Sequence, residues 1–214
     1  MKRNQKFVIT INRELGSGGR TVGRKLAEKL GVEYYDKALI NNLETRYNLS
    51  VEEIEKLKGR SHGWWAEIKR TLFDSHGQAA TANYALAVPG DKPFEPTSFD
   101  MYQAEKEILA GIAENESCVI AGRLGFHVFR THPNHLSILI QASMPFRLER
   151  IMRKKHISEQ EARKTIDMVD KMRENYVNEY AKTSRYDTRN YDLVITADGK
   201  TEDEIVDFIM AYID

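Results

Sequence analysis

The sequence has little that would suit a secreted, membrane-spanning or nucleic-acid-binding protein. Its 214 residues include one cysteine, Cys118, which excludes an internal disulfide framework and fits a reducing cytoplasm. The 32 basic and 32 acidic residues cancel, and zero net charge argues against general binding to nucleic acid or a membrane surface. The longest apolar runs, Cys118–Gly122 and Leu136–Ala142, are too short to span a bilayer. We therefore expect a cytoplasmic globular protein with no nucleic-acid or membrane partner, whose oligomeric state is open.

Short β-branched runs alternate with longer amphipathic segments, which is typical of a parallel sheet covered by helices. The predicted strands are Phe7–Ile11, Val32–Tyr35, Cys118–Ala121, Leu136–Ile140 and Asp192–Thr196. The predicted helices are Thr21–Leu30, Lys37–Tyr47, Val51–Lys58, Trp64–Phe73, Ser98–Glu114, Met144–Lys154, Ser158–Tyr180 and Thr201–Tyr212. Capping-box spacing, as in Ser158 with Glu161, marks the start of several helices. Prolines and small residues predict a long loop over Asp74–Pro96.

A glycine-rich turn follows the first strand and leads into a helix, which is the context of a phosphate-binding loop. Glycines let backbone N–H groups surround phosphate oxygens, and the helix N-terminus adds the positive end of its dipole. Against the pattern G-x-x-x-x-G-K-[ST], Gly19-Arg20-Thr21 takes the place of G-K-[ST], and Glu14 replaces the first glycine. Arginine retains the charge of the usual lysine but is bulkier and donates in a planar fork. A tight connection without a ligand is the alternative interpretation.

The order of charged residues along the chain carries a family resemblance. Asp36 ends the second strand, where nucleoside monophosphate kinases begin their acceptor-binding region, and Arg123 follows the third strand. The later residues are Arg147, Arg150 and Arg153, then Asp170 and Arg173, then the strand Asp192–Thr196. From about residue 7 to 213, the chain resembles the cytidylate kinase-like proteins of the P-loop nucleoside monophosphate kinase group.

The resemblance implies an α/β fold of the P-loop NTPase type, with a five-stranded parallel sheet in the order 2-3-1-4-5 flanked by helices. It implies a single kinase domain over residues 1–214, with a core of residues 5–36, 117–143 and 190–214. Residues 37–116 would form a helical acceptor-binding insert, and residues 144–189 a lid with a long helix. Ligands of such sheets bind at the carboxyl ends of the strands.

The implied reaction is ATP-dependent phosphoryl transfer to a nucleoside monophosphate, with CMP or dCMP favoured, and Mg²⁺ arriving with ATP at the Thr21 hydroxyl. The implied ATP-phosphate contacts are Gly16, Ser17, Gly18, Gly19, Arg20 and Thr21. The implied catalytic cations are Arg20, Arg147, Arg150 and Arg153. The implied acceptor contacts are Asp36, Arg123, Asp170 and Arg173.

Other interpretations remain open at this point. The three-residue spacing of Arg147, Arg150 and Arg153 predicts one side of a helix, which could be a solvated face, and Asp170 with Arg173 could be a surface ion pair. Leu124 stands where the family places a carboxylate, and no acid ends the third strand. These departures suit a kinase for another small acceptor, or a nucleotide-binding regulatory protein without transfer activity.

Overall fold

The computed structural model describes residues 1–36, 98–122 and 124–213. The predicted helices Lys37–Tyr47, Val51–Lys58 and Trp64–Phe73, the loop Asp74–Pro96 and Arg123 lie outside these residues. The chain divides into two compact units, residues 1–39 with 112–214 and residues 40–111. The predicted acceptor-binding insert at 37–116 falls largely outside the described residues and stays a prediction.

The first unit contains a five-stranded parallel sheet in the order β2-β3-β1-β4-β5, which confirms the predicted fold class. The strands are β1 (Val8–Arg13), β2 (Glu33–Asp36), β3 (Cys118–Ala121), β4 (His135–Gln141) and β5 (Leu193–Thr196). Val8 of the central strand β1 pairs with Cys118 of β3 and with His135 of β4. Because all strands are parallel, they end at the same edge of the sheet, here called the carboxyl edge.

The helices of the described residues are α1 (Gly19–Leu30), α2 (Ser98–Asn115), α3 (Gly125–Val128), α4 (Met144–Lys155), α5 (Glu159–Ala181) and α6 (Glu202–Ile213). All of them except α3 lie within two residues of a predicted helix at each end. A capping box of Ser158 and Glu161 starts α5, as predicted. The short helix α3 and the 3₁₀ turn Thr188–Asn190 were not predicted, since three or four residues are too few to show a periodicity. Within the described ranges, no helix is both long and apolar enough to cross a membrane.

The main core lies between the sheet and the helices α1 and α6. Val22 and Leu26, one helical turn apart on α1, are fully buried against Ile9 and Ile11 of β1 and against residues of α6. Burying each such side chain stabilises the fold by about 1.5–3 kcal/mol. A separate apolar cluster joins α4 to α5 through Leu148, Ile151, Ala162 and Ile166.

Strand β1 extends two residues beyond its predicted end. The prediction stopped at Ile11 because Asn12 and Arg13 are polar, but both continue the pairing with β4, opposite Leu139 and Ile140. Pairing between backbones is insensitive to side-chain polarity, so the ladder runs on to the carboxyl edge. The extension places the Arg13 side chain beside the glycine-rich turn.

Candidate active site

The turn between β1 and α1 is a compact loop that depends on glycine. Gly16 and Gly18 have φ angles of +91° and +87°, which side chains with a Cβ rarely adopt. The Ser17 N–H and hydroxyl both donate to the carbonyl of Glu14, at 3.3 and 3.0 Å. Gly18 caps α1, whose first N–H groups have no partner within the helix. A loop of this kind can surround the oxygens of a phosphate group.

Helix α4 packs directly against this loop. A Cβ on Gly16 would lie 2.9 Å from the carbonyl oxygen of Arg147, so only glycine fits there. A Cβ on Gly18 would lie 3.4 Å from the Cζ atom of Arg150, which shows that this guanidinium lies over the loop. Arg150 also pairs with Glu202 at the start of α6. One of the predicted cations of α4 is therefore next to the candidate phosphate site.

A buried set of charges lies beneath the loop, and we name it the Asp170 cluster. Its members are Asp170, Glu14, Arg147, Arg173 and Arg185. Asp170 pairs with Arg147, with Arg185 at 3.3 Å and with Arg173 at 3.5 Å. Only 7% of Asp170 is exposed, so the surface-pair interpretation of Asp170 and Arg173 is wrong. Asp170 also accepts the backbone N–H of Leu15 at 3.1 Å, which ties the cluster to the loop.

Glu14 has a structural role that its departure from the P-loop pattern did not suggest. One of its carboxylate oxygens pairs with Arg147 at 3.2 Å. The other accepts the backbone N–H of Ala142, at the end of β4, at 2.9 Å. The Nε atom of Arg147 donates to the Leu15 carbonyl at 2.8 Å. Glu14 and Arg147 therefore hold the loop, β4 and α4 together.

The sequence-based analysis missed Arg185, which is completely buried. Its guanidinium donates to the backbone carbonyl of Arg13 and to the Asn12 side chain, and it lies 5.2 Å from the ring centre of Tyr186. The Tyr191 hydroxyl donates to the Arg185 carbonyl at 2.8 Å. Arg185 stands in a short polar segment after α5 that belongs to no motif, so nothing local signals its burial.

Arg20 and Asp36, which were predicted to contact different ligands, contact each other. Nε of Arg20 donates to Asp36 at 2.8 Å, and the pair raises the pKa of Arg20. The Arg20 side chain is 58% exposed, whereas the Asp36 carboxylate is buried at the end of β2. This pair places the predicted ATP contact next to the predicted acceptor contact at the carboxyl edge. Their roles toward ligands stay predictions.

The three arginines of α4 do not share one side of the helix. Arg147 enters the Asp170 cluster, Arg150 lies on Gly18, and the exposed Arg153 pairs with Glu149 at 3.5 Å. With 3.6 residues per turn, each three-residue step rotates the side chain by about 60° around the axis. The prediction of a common face is therefore wrong, although its first two members lie at the candidate site.

Comparison with known proteins shows the family to which a chain with this glycine loop and parallel sheet belongs. The sequence profile of the cytidylate kinase-like family matches residues 8–198. The chain belongs to the cytidylate kinase-like family. A cytidylate kinase from Methanosarcina barkeri is 26% identical over 208 residues, which cover 96% of each chain.

Solved structures extend the comparison to the fold of this cytidylate kinase-like chain. An uncharacterized protein from Eubacterium ventriosum superposes with a TM-score of 0.70 at 25% identity, covering 98% of this chain and 99% of that one. A shikimate kinase from Bacteroides thetaiotaomicron has a TM-score of 0.50 at 13% identity, covering 97% and 98%. The second likeness concerns the fold alone.

The described residues of this family member fit phosphate better than they fit a metal held by the protein alone. Among them, no three His, Cys, Asp or Glu side chains come together as metal ligands would. Glu14 and Asp170 are engaged by arginines and backbone N–H groups, and no acid ends β3. The half-buried Thr21, in the first turn of α1, is the residue predicted to hold Mg²⁺ delivered with a nucleotide, and this role stays a prediction.

Proposed function

We propose that this protein is an ATP-dependent kinase that phosphorylates a nucleoside monophosphate, with CMP or dCMP as the favoured acceptor. Membership of the cytidylate kinase-like family supports phosphotransferase activity on a nucleotide or another small molecule. The preference for the cytosine nucleotide is the finer part of the proposal, supported by a relative that is itself a cytidylate kinase. A cytoplasmic location belongs to the same proposal.

The observation that carries the proposal is the glycine loop with an arginine of α4 lying on it. Gly16 and Gly18 shape the turn, α1 directs its N-terminus into it, and the Arg150 guanidinium covers Gly18. Backbone N–H groups of the loop on one side and the Arg150 guanidinium on the other could together bind a chain of phosphates. A connection without a ligand would have no need to bring a charged side chain onto the loop.

The residues divide into two groups in the proposed reaction. ATP phosphates contact Gly16, Ser17, Gly18, Gly19, Arg20 and Thr21. Of the predicted lid cations Arg147, Arg150 and Arg153, Arg150 lies on the loop, and Arg147 holds the loop in place through the Asp170 cluster. Asp36, Asp170 and Arg173 serve the acceptor together with Arg123, which lies outside the described residues. The Arg20–Asp36 pair joins the two groups at the end of β2.

Phosphoryl transfer needs positive charge around the transferred group as negative charge redistributes among its oxygens. Mg²⁺, bound with ATP, neutralises part of the phosphate charge. The protein's own contribution is to hold donors in place before the reaction, so that no reorganisation is needed at the moment of transfer. Arg150 and Arg20 are suited to that role, because both lie at the loop and a guanidinium is a planar, forked donor that matches phosphate oxygens.

The direct test is ADP formation by the purified protein with ATP–Mg²⁺ and a panel of CMP, dCMP, UMP, AMP and GMP. We expect CMP or dCMP to be phosphorylated fastest, with the diphosphate product confirmed by mass. Faster transfer to another monophosphate would contradict the cytosine preference and leave the kinase proposal standing. No transfer to any acceptor, with no binding of ATP–Mg²⁺ by calorimetry, would contradict the kinase proposal itself.

One observation favours a second candidate, a kinase for a different small acceptor. Leu124, in the place where the family has a carboxylate, is 96% buried and starts α3 in a left-handed conformation with φ of +53°. A buried leucine offers no acceptor for a sugar hydroxyl. Extending the panel to small polyols and hydroxy acids distinguishes this candidate, since a nucleotide kinase would leave them unphosphorylated.

A further inference from the structure

Arg13 reaches across the carboxyl edge from the end of β1. A Cβ on Gly19 would lie 2.6 Å from the Cβ of Arg13, so the Arg13 side chain starts directly against the glycine loop. A Cβ on Gly122, just beyond β3, would overlap an Nη atom of the same guanidinium. The guanidinium therefore lies between the loop and the end of β3, where open α/β sheets bind their ligands.

The Arg13 guanidinium differs from its neighbours in its partners. Within the part of the chain that the structure describes, it has no ion pair with a carboxylate, whereas Arg147, Arg173 and Arg185 each pair with Asp170. Burial and the nearby Arg185 lower the pKa of Arg13, and burial lowers that of Arg173 to about 10. The Arg13 side chain is a cation held in a poorly hydrated place.

Charge does not balance around the Asp170 cluster once Arg13 is included. The cations are Arg13, Arg147, Arg173 and Arg185, and the carboxylates in contact with them are Glu14, Asp170 and Glu174, the last of which accepts the Arg185 backbone N–H at 3.1 Å. The surplus is one positive charge beside a loop of backbone N–H groups. Poorly hydrated charge without a counter-charge is unfavourable, and a bound anion offsets it.

The backbone of Arg13 is fixed by its neighbours. Its carbonyl accepts from Arg185 and from Arg173, the latter at 3.1 Å, and its N–H donates to Asn12 Oδ1 at 2.9 Å. The side chain therefore starts from a rigid point and requires little ordering when a ligand arrives. A preorganised donor of this kind is suited to a group on which charge develops.

We infer that Arg13 binds the terminal phosphoryl group of the nucleoside triphosphate, an inference that rests on the proposed kinase function. Arg13 and Arg20 then both lie on the side of the loop that faces β3 and β2. Arg20 is exposed and pairs with Asp36 toward β2, whereas Arg13 lies between the loop and β3. The guanidinium acts as a charged, forked donor to phosphate oxygens and takes no proton in the reaction.

The test compares Arg13→Gln with Arg163→Gln, which removes an exposed arginine paired with Glu159 on α5. Binding of inorganic tripolyphosphate and of ATP–Mg²⁺ is measured by calorimetry, and melting temperature is measured without ligand. We expect Arg13→Gln to weaken both ligands about tenfold or more, on the scale of losing one charged donor. We expect its ligand-free melting temperature to equal or exceed that of the wild type, because a surplus charge has been removed. Arg163→Gln is expected to match the wild type in every measurement.

Arg13→Lys separates charge from geometry, and we expect it to recover part of the lost affinity. Wild-type affinity in Arg13→Gln would overturn the inference and leave the kinase proposal intact. A ligand-free melting temperature that falls in Arg13→Gln, with affinity that Arg13→Lys does not improve, would show a structural residue and also overturn it. A wild-type protein that binds neither tripolyphosphate nor ATP–Mg²⁺ would overturn the kinase proposal and this inference together.

Discussion

Two sets of ion pairs in this protein have opposite surroundings. Lys25 with Asp203 and Lys29 with Asp207 join α1 to α6 at 2.7 and 2.5 Å, on the surface. The Asp170 cluster makes its contacts inside the protein, with its carboxylate shared by three arginines. The exposed pairs are shorter than the contacts of Asp170 with Arg185 and Arg173, so the distance alone does not tell which ion pairs affect stability.

The two sets differ in how well water would hydrate a charge that has lost its partner. Water hydrates an exposed lysine that loses its carboxylate, and the apolar contacts between α1 and α6 remain. A buried arginine that loses its carboxylate keeps a charge that water cannot reach. Burying the Asp170 cluster has a desolvation cost, so stability alone does not explain it, and its position under the glycine loop connects it with ligand binding.

The largest effect is expected from Asp170→Asn, which tests whether the buried set depends on its shared carboxylate. Arg173 and Arg185 lose their paired carboxylate and Arg147 keeps only Glu14, so we expect the free energy of unfolding to fall by about 3–5 kcal/mol. Urea unfolding measures the loss, with Asp207→Asn as the matched surface control. A loss no larger than that of Asp207→Asn would contradict the view that the buried ion pairs affect stability more than the exposed ones.

The Arg20–Asp36 pair combines an exposed cation with a buried carboxylate and so sharpens the comparison. We expect Arg20→Ala to lower kcat/KM about a hundredfold, on the scale of a lost electrostatic donor. Arg20→Lys is expected to restore activity only in part, because lysine cannot donate to Asp36 through two nitrogens. Steady-state kinetics against Arg24→Ala, an exposed arginine on the same helix, provides the check. Unchanged kcat/KM in Arg20→Ala would show that this arginine serves neither ligand.

His135 extends the comparison to a buried group that is uncharged. Its ring contacts the Thr10 hydroxyl at 2.7 Å, and burial lowers its pKa to about 4, below the value near 6.5 of the unfolded chain. Because the unfolded state takes up the proton first, stability is full above pH 6.5 and falls as the pH drops toward 4. We expect a loss of about 2 kcal/mol between pH 7 and pH 5. Urea unfolding of His135→Gln at both pH values is expected to lack this contribution, and an identical pH dependence in the variant would contradict it.

The smallest effect is expected on the surface. The double variant Lys25→Ala with Lys29→Ala removes both of these ion pairs between α1 and α6. We expect its free energy of unfolding to equal that of the wild type within measurement error. Adding 0.5 M NaCl to the wild type is the parallel measurement, because salt screens exposed charges. A clear destabilisation in either experiment would mean that the exposed pairs contribute as much as buried ones.

The fold could be predicted because its determinants are local. Buried strands such as Cys118–Ala121 are short apolar runs, and α5 begins at a capping box that four consecutive residues encode. The glycine loop was found for the same reason, since Gly16 and Gly18 lie together in a strand–turn–helix context.

The interior of the candidate site depends on contacts between distant residues, and the sequence does not display them. Glu14 meets Arg147 across 133 positions, and Arg185 meets Arg13 across 172. Arginines occur throughout this chain, and which of them is buried depends on how α4 and α5 lie against the glycine loop and the end of β1. Arg13 was overlooked because the predicted strand ended two residues before it.

The central place of β1 has a consequence for how the protein is made. Its residue Val8 pairs with Cys118, 110 residues later, and then with His135. At a synthesis rate of about 5–20 residues per second, β3 is translated roughly 5 to 20 seconds after β1, and until then β1 has no strand to pair with. Folding of the nascent chain is thus delayed by topology, and the segment Val8–Ile11 is where protection by a chaperone would have the most effect.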